Sequence, residues 1–182
     1  MDFVVCLPKT MSKYDSIWVI VDRLTKSAHF IPGKVTYNAK KLVRLYISEV
    51  VRLHGVPLSI ISDRGTQFTS KFWRTLHAEL GTRFDLSTAF HPQTDGQSEQ
   101  TIKVLEDMLR ACVIEFGGHW DNFLPFAEFS YNNSYHLIID IAPFEALYGR
   151  RCSSPIGWCD AFEERPWGTD LLRELFDNVK FI

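Results

Sequence analysis

Before residue 32 the chain passes through three β-type stretches in quick succession, and beyond it helical spacing alternates with short strands. That change of period limits the possible folds more than any other feature of the sequence. Residues 2–7, 16–21 and 28–31 are β-branched and aromatic runs parted by polar stretches, which predicts three antiparallel strands. From Asn38, a helix N-cap, the apolar residues Leu42, Val43, Tyr46, Ile47, Val50 and Leu53 recur at helical spacing until Gly55 and Pro57 stop them. Residues 59–62 form a short strand that delivers Asp63 at its end. Ser70 caps a helix whose inner stripe is Phe72, Trp73, Leu76 and Leu80, Gly81 closes it, and residues 83–86 return as a strand. A long helix from about Gln97 turns Ile102, Leu105, Leu109, Cys112, Val113 and Phe116 inward and stops at Gly117 and Gly118. Trp120, Leu124, Ala127 and Tyr131 mark another helix, and Pro143 opens a short one that Gly149 ends. This order predicts an α/β domain over residues 1–151, a mixed five-stranded sheet flanked by helices on both faces. Residues 152–182 read as a linker and a partial C-terminal helix carrying Leu171, Leu172, Leu175 and Val179.

A chain of 182 residues that is 46% hydrophobic can bury a substantial core without disulfide staples. No apolar run approaches the roughly 20 residues needed to span a bilayer, and no charged-then-apolar leader precedes the first strand, so a soluble protein that is not secreted is expected. Cys6, Cys112, Cys152 and Cys159 include no C-x-x-C pair and the six histidines are not spaced with them as zinc ligands, so no zinc is expected in this segment. The net charge of −2 argues at first against a nucleic-acid partner. The charge is unevenly placed, however: residues 1–110 hold 15 Lys and Arg against 11 Asp and Glu, the remainder 5 against 11, so a basic working face is allowed.

Three carboxylates stand at element ends: Asp2 in the first strand, Asp63 after the fourth, and Glu99 near the start of the long helix. Acidic groups converging from separate strands and a helix at one sheet edge can hold two divalent metals, the apparatus for in-line phosphoryl displacement, and hard oxygen donors suit Mg²⁺ or Mn²⁺. With 22 acidic residues in the chain, the 35 residues between Asp63 and Glu99 carry no weight by themselves. Asp22 is a rival for the first position, its other reading being a turn-capping Asp beside Arg23. Lys103 lies one helical turn beyond Glu99 and points to the same mouth, as a phosphate contact or as a solvated Glu-Lys partner. Gln67, Gln93 and Gln97 can donate to phosphates or base edges, and His91 is either structural or close to a bound DNA end. Phe72, Trp73, Phe84, Trp120 and Phe123 fit core positions rather than stacking platforms.

Six words appear in order: Met1-Asp2-Phe3-Val4, Trp18-Val19-Ile20-Val21-Asp22-Arg23-Leu24-Thr25-Lys26, His54-Gly55-Val56-Pro57, Ser62-Asp63-Arg64-Gly65-Thr66-Gln67-Phe68, His91-Pro92-Gln93-Thr94-Asp95-Gly96-Gln97 and Ala142-Pro143-Phe144-Glu145-Ala146-Leu147-Tyr148-Gly149. Together they make residues 1–158 resemble the integrase catalytic core of gypsy-type long-terminal-repeat retrotransposons, a segment of a Pol polyprotein in the retroviral integrase superfamily. The resemblance implies a ribonuclease-H-like fold, a catalytic and metal-binding triad of Asp2, Asp63 and Glu99, and two Mg²⁺ or Mn²⁺ ions. It further implies trimming of DNA 3′ ends followed by strand transfer into target DNA, a homo-oligomer, and action in the nucleus after cytoplasmic synthesis. Integrases similarly grip donor DNA with the helix of Lys103 and the loop before it. Two alternatives stay open: an inactive remnant that binds nucleic acid or dimerises, and a ribonuclease-H-like nuclease. The sequence departs from the family's pattern in places. One residue precedes Asp2 where the first strand normally continues upstream, and residues 1–182 hold neither a zinc module nor a C-terminal module, so a truncated or decaying element copy is expected. Cys6 stands where Gly is usual, and Leu137-Ile138-Ile139-Asp140 replaces a small, polar, Gly-containing stretch whose packing the change is expected to hinder.

Overall fold

The computed structural model describes residues 1–62, 68, 73, 75, 78–86 and 96–152. Two compact units divide the chain, Met1–Val21 with His29–Val104, and Asp22–Ala28 with Leu105–Ile182. The predicted cap at Ser70, the helix positions Phe72 and Leu76, and the C-terminal helix beyond Cys152 lie outside the described residues.

In the first unit, strands β1 (Asp2–Val4), β2 (Ser16–Val21) and β3 (Ala28–Gly33) lie side by side in that order. β1 runs antiparallel to β2, with Asp2 opposite Val19, Phe3 opposite Trp18 and Val4 opposite Ile17. The first residue of β3, Ala28, belongs to the second unit. Strands β4 (Ser59–Ser62) and β5 (Arg83–Leu86) form a parallel pair, Ser59 opposite Arg83 and Ser62 opposite Leu86. Between the two ladders the Met1 ammonium donates to the Ile61 carbonyl at 2.9 Å. This bond brings the start of β1 to the end of β4, while the strands themselves are paired as a three-stranded sheet, β1-β2-β3, and a separate two-stranded one, β4-β5.

β1 stops sooner than the predicted 2–7 for a local reason. Cys6 has φ +65°, and pairing resumes past it with Leu7 N–H donating to the Asp15 carbonyl. Cys6 and Leu7 thus face the single residue Asp15, the two-against-one arrangement of a β-bulge whose left-handed position favours glycine.

Helix α1 (Ala39–Tyr46) continues through a π turn (Ile47–Val51) into the short α2 (Arg52–His54). Asn38 caps it as predicted, its Oδ1 accepting from Lys41 N–H at 2.9 Å, and Gly55 ends it at φ +79°. Leu42, Val43, Tyr46 and Val50 are buried, but Ile47 and Leu53 are 44% and 50% exposed, against expectation. The π turn is the cause: a wider turn spends an extra residue and shifts the stripe that uniform helical spacing assumes. The buried face meets an aromatic cluster around Trp18, whose ring centroid lies 5.5 Å from Phe3, 6.0 Å from Tyr46, 6.0 Å from Phe68 and 5.8 Å from Trp73. Phe84 packs against the same core. His29 of β3 and His54 of α2 brace the far end of the helix, with 2.8 Å between their Nε2 atoms.

The second unit takes up helix α3 (Gly96–Phe116) from Leu105 on, a 3₁₀ turn at Trp120–Asn122, α4 (Leu124–Asn133) and α5 (Pro143–Tyr148). Trp120, Leu124, Ala127 and Tyr131 are all buried, as their spacing predicts, and so is Phe123. Phe116 does not reach the interior. It sits at the last helical residue before Gly117 (φ +69°), 43% exposed, with its ring 6.2 Å from that of Phe123. Pro143 opens α5 and Gly149, at φ +69°, closes it. The stretch 137–140 is a tight reversal bridged by His136 and Ile141. Asp140 takes the left-handed position at φ +58°, which Asp tolerates better than most residues, and its carboxylate accepts from the Tyr135 hydroxyl at 2.9 Å. Leu137 and Ile138 point outward, 82% and 60% exposed, so the apolar pair is left on the surface rather than forced into the core. Among the described residues no helix is long and apolar enough to cross a membrane.

The bulge at Cys6 generates a stability prediction. A non-glycine residue in the left-handed region costs about 1–2 kcal/mol, and the extra unfolded-state entropy of Gly takes back about 0.4–1 kcal/mol. Cys6→Gly is therefore expected to stabilise the fold by about 0.5–1 kcal/mol, read as a higher urea midpoint at unchanged slope; a lower midpoint refutes the bulge as a strained site.

Candidate catalytic centre

Strand alternation decides where the first carboxylate goes. Phe3 turns into the aromatic cluster, its ring stacked 5.1 Å from Phe68, so its neighbour Asp2 projects from the opposite face of β1. Asp2 is half-buried, and its Oδ1 accepts the Phe3 N–H at 2.7 Å. The bond from Met1 to Ile61 sets this end of β1 against the last residues of β4. β4 ends on the fully buried Ser62, and the next residue in the sequence is Asp63, which lies outside the described residues.

Glu99 occupies the first turn of α3, where the unpaired N–H groups and the helix dipole favour a negative charge. The helix buries Ser98, Thr101, Leu105, Leu109 and Cys112, which leaves Glu99 and Lys103 exposed. They stand four residues apart, about 6 Å along the axis. The backbone of Gln97 lies in the same first turn, while its side chain and the residues Gln67, His91 and Gln93 lie outside the described residues. Among the described residues no three His, Cys, Asp or Glu side chains are gathered closely enough to hold a metal ion, and of the expected trio only Asp2 and Glu99 are described.

Asp22 has a different task, in the second unit. Its Oδ2 accepts both the Thr25 N–H at 2.8 Å and the Thr25 hydroxyl at 2.7 Å. Its own N–H donates to the Ser27 carbonyl. Lys26 follows at φ +61°, its side chain folded back so that Nζ donates to the Arg23 carbonyl at 2.6 Å. Burial pushes the Lys26 ammonium below its ordinary pKa, with Asp22 opposing the shift. The word from Asp22 to Lys26 is thus a self-capped turn between β2 and β3, the reading that competed with a ligand role.

No family model matches the chain. It is 32% identical over 148 residues to the Transposon Tf2-3 polyprotein of Schizosaccharomyces pombe, an alignment covering 81% of this chain and 11% of the polyprotein, and equally to the Transposon Tf2-4 polyprotein of the same organism. The chain spans about a tenth of the length of these curated relatives. Its fold matches a chain of the simian T-cell lymphotropic virus intasome in complex with PP2A regulatory subunit B56 gamma, with a TM-score of 0.68 at 16% identity over 93% of this chain and 57% of that one. It also matches the trimeric form of the HTLV-2 integrase catalytic core domain in complex with magnesium, with a TM-score of 0.63 at 17% identity over 80% of this chain and 93% of that one. The antiparallel β1–β2 ladder, the parallel β4–β5 pair and these relatives agree: the chain belongs to the integrase catalytic cores of gypsy-type retrotransposon polyproteins and has their ribonuclease-H-like fold.

Proposed function

We propose that this chain is the core of a polynucleotidyl transferase that trims the 3′ ends of its element's DNA and joins them to target DNA, with Asp2, Asp63 and Glu99 holding two Mg²⁺ or Mn²⁺ ions. The observation that carries the reading is the 2.9 Å bond from Met1 to Ile61, because it lays the strand of Asp2 beside the strand that runs out one residue before Asp63. The donor chemistry fits hard divalent cations: oxygen ligands only, from a strand, a strand end and a helix start. Carboxylates crowded at one sheet edge repel each other, and cations relieve that repulsion. When bound, such a pair supplies a Lewis acid for the phosphoryl oxygen and lowers the pKa of an attacking water or hydroxyl. The protein's share is placement. Asp2 is held by strand alternation behind Phe3, and Glu99 is held by the first turn of a helix anchored through Ser98 and Thr101.

Lys103 extends from the mouth as a phosphate contact, and Gln67, His91, Gln93 and Gln97 are proposed to orient the DNA end beside it. The HTLV-2 core with magnesium has dimeric and trimeric forms, and we extend self-association to this chain, acting on DNA in the nucleus. The competing reading is a remnant that binds nucleic acid without chemistry.

A disintegration assay in Mn²⁺ separates the two, since it asks only the core to reverse strand joining on a branched oligonucleotide. Activity is expected and Asp63→Asn is expected to abolish it; DNA binding with no cleavage in either protein favours the remnant. Lys103→Ala is expected to reduce the slope of log affinity against log salt by about 0.9, one phosphate contact, and an unchanged slope returns Lys103 to solvent. Asp22→Asn should leave both metal sites intact in a calorimetric titration with Mn²⁺; loss of binding reassigns the first ligand.

A further inference from the structure

Helical residues 39–54 carry Lys40, Lys41, Arg44 and Arg52 against one carboxylate, Glu49. The buried side of the helix is filled by Leu42, Val43, Tyr46 and Val50, and all four basic residues are exposed. Lys40, Arg44, Ser48 and Arg52 follow one another at intervals of four. In an unbroken α-helix each such step overshoots a full turn by about 40°, so three steps would wind the last cation roughly 120° away from the first. The π turn at Ile47–Val51 counters that drift, because its wider turn absorbs the extra residue. The Arg52 side chain duly lies back over the preceding turn, Nε donating to the Ser48 carbonyl at 2.9 Å. The Ser48 hydroxyl donates to Glu49 Oε1 at 3.0 Å, and Glu49 itself is half-buried rather than standing among the cations. Among the described residues none of Lys40, Arg44 and Arg52 is in an ion pair.

We propose that this straightened basic stripe on α1, the π turn and α2 is a second, sequence-independent docking surface for the phosphate backbone of duplex DNA, separate from the contacts of Lys103. The inference rests on the reading of the chain as a DNA-joining core. At a rise of about 1.5 Å per residue, Lys40 and Arg44 are about 6 Å apart along the axis and Arg52 stands about 12 Å further on. Phosphates along one DNA strand repeat every ~3.4 Å of helix axis, so the stripe meets roughly every second one and, at its Ser48 step, passes over a position with a neutral hydroxyl. A repeating polyanion suits cations at a regular pitch; an acidic protein segment has no such repeat and is the alternative occupant.

The test compares the full chain with Lys40→Ala/Arg44→Ala/Arg52→Ala, titrating a mixed-sequence duplex at several NaCl concentrations. The slope of log affinity against log salt is expected to shrink by about 2.7, three phosphate contacts, with no dependence on duplex sequence. Arg44→Lys/Arg52→Lys, which keeps the charges, is expected to hold the parent slope. If the triple variant loses its circular-dichroism spectrum, Lys40→Gln/Arg44→Gln gives the same reading with a reduction of about 1.8. A folded variant with the parent slope overturns the proposal, and so does a variant that loses self-association in gel filtration while its DNA slope stays unchanged, which would assign the stripe to a protein partner. Failure of the catalytic reading shows separately: a slope that falls as expected in a chain inactive for disintegration in Mn²⁺ leaves the surface standing and removes the chemistry.

Discussion

Trp18 is the residue on which the first unit is assembled. Its ring touches Phe3 from β1, Tyr46 from α1, and both Phe68 and Trp73. It is itself almost fully buried. Aromatic pairs at such separations contribute about 0.5–1.5 kcal/mol each beyond the area they bury, so the cluster is a concentrated source of cohesion in a sheet whose strands are short. Phe3 and Trp18 face each other directly across the β1–β2 ladder. A slip of one residue would turn Phe3 away from the cluster and bring Asp2 into it, and burying an unpaired carboxylate is far more costly than any gain from pairing. The register that places Asp2 is therefore enforced from behind, by apolar packing.

The same arrangement explains why three strand residues suffice in β1. Its antiparallel partner fixes three positions, the bulge at Cys6 bends the chain away, and the bond from Met1 to Ile61 holds the other flank against β4. Glu99 depends on different forces. Its helix is seated by small polar residues, Ser98 and Thr101, in the first turn and by Leu105, Leu109 and Cys112 further along.

How much of this was legible in the sequence depended on whether a feature was local. β2 and β4 were readable to the residue because β-branched runs bounded by turn formers admit few other conformations, β5 because it returns directly after the helix-closing Gly81, and Asn38, Gly55, Pro143 and Gly149 announced their helix ends through the backbone angles and side-chain oxygens that caps require. The stripe Trp120, Leu124, Ala127 and Tyr131 was equally plain. What escaped was non-local or non-uniform. Periodicity assumes a constant turn, so the π turn that exposes Ile47 and Leu53 had no signature. Phe116 reads as inward by spacing, yet the glycine after it ends the helix. For the candidate site, the sequence offered Asp2, Asp63 and Glu99 by resemblance, and the choice between Asp22 as ligand and as turn cap stayed open until its carboxylate was found occupied by Thr25. The bond from Met1 to Ile61 joins residues 60 apart, and nothing in either one foretells it.

β3 borders the sheet, and such a border is an invitation to strand addition from a second molecule. Its outward-facing backbone positions alternate along Ala28, Phe30 and Pro32. At the first, the Asn132 side-chain amide stands in for a neighbouring strand, Oδ1 accepting from Ala28 N–H at 2.8 Å and Nδ2 donating to the Ala28 carbonyl at 2.9 Å. At the third, proline has no N–H to offer. Two of three rungs are thereby withdrawn from any incoming chain. Copies of this protein are steered away from pairing edge to edge through β3.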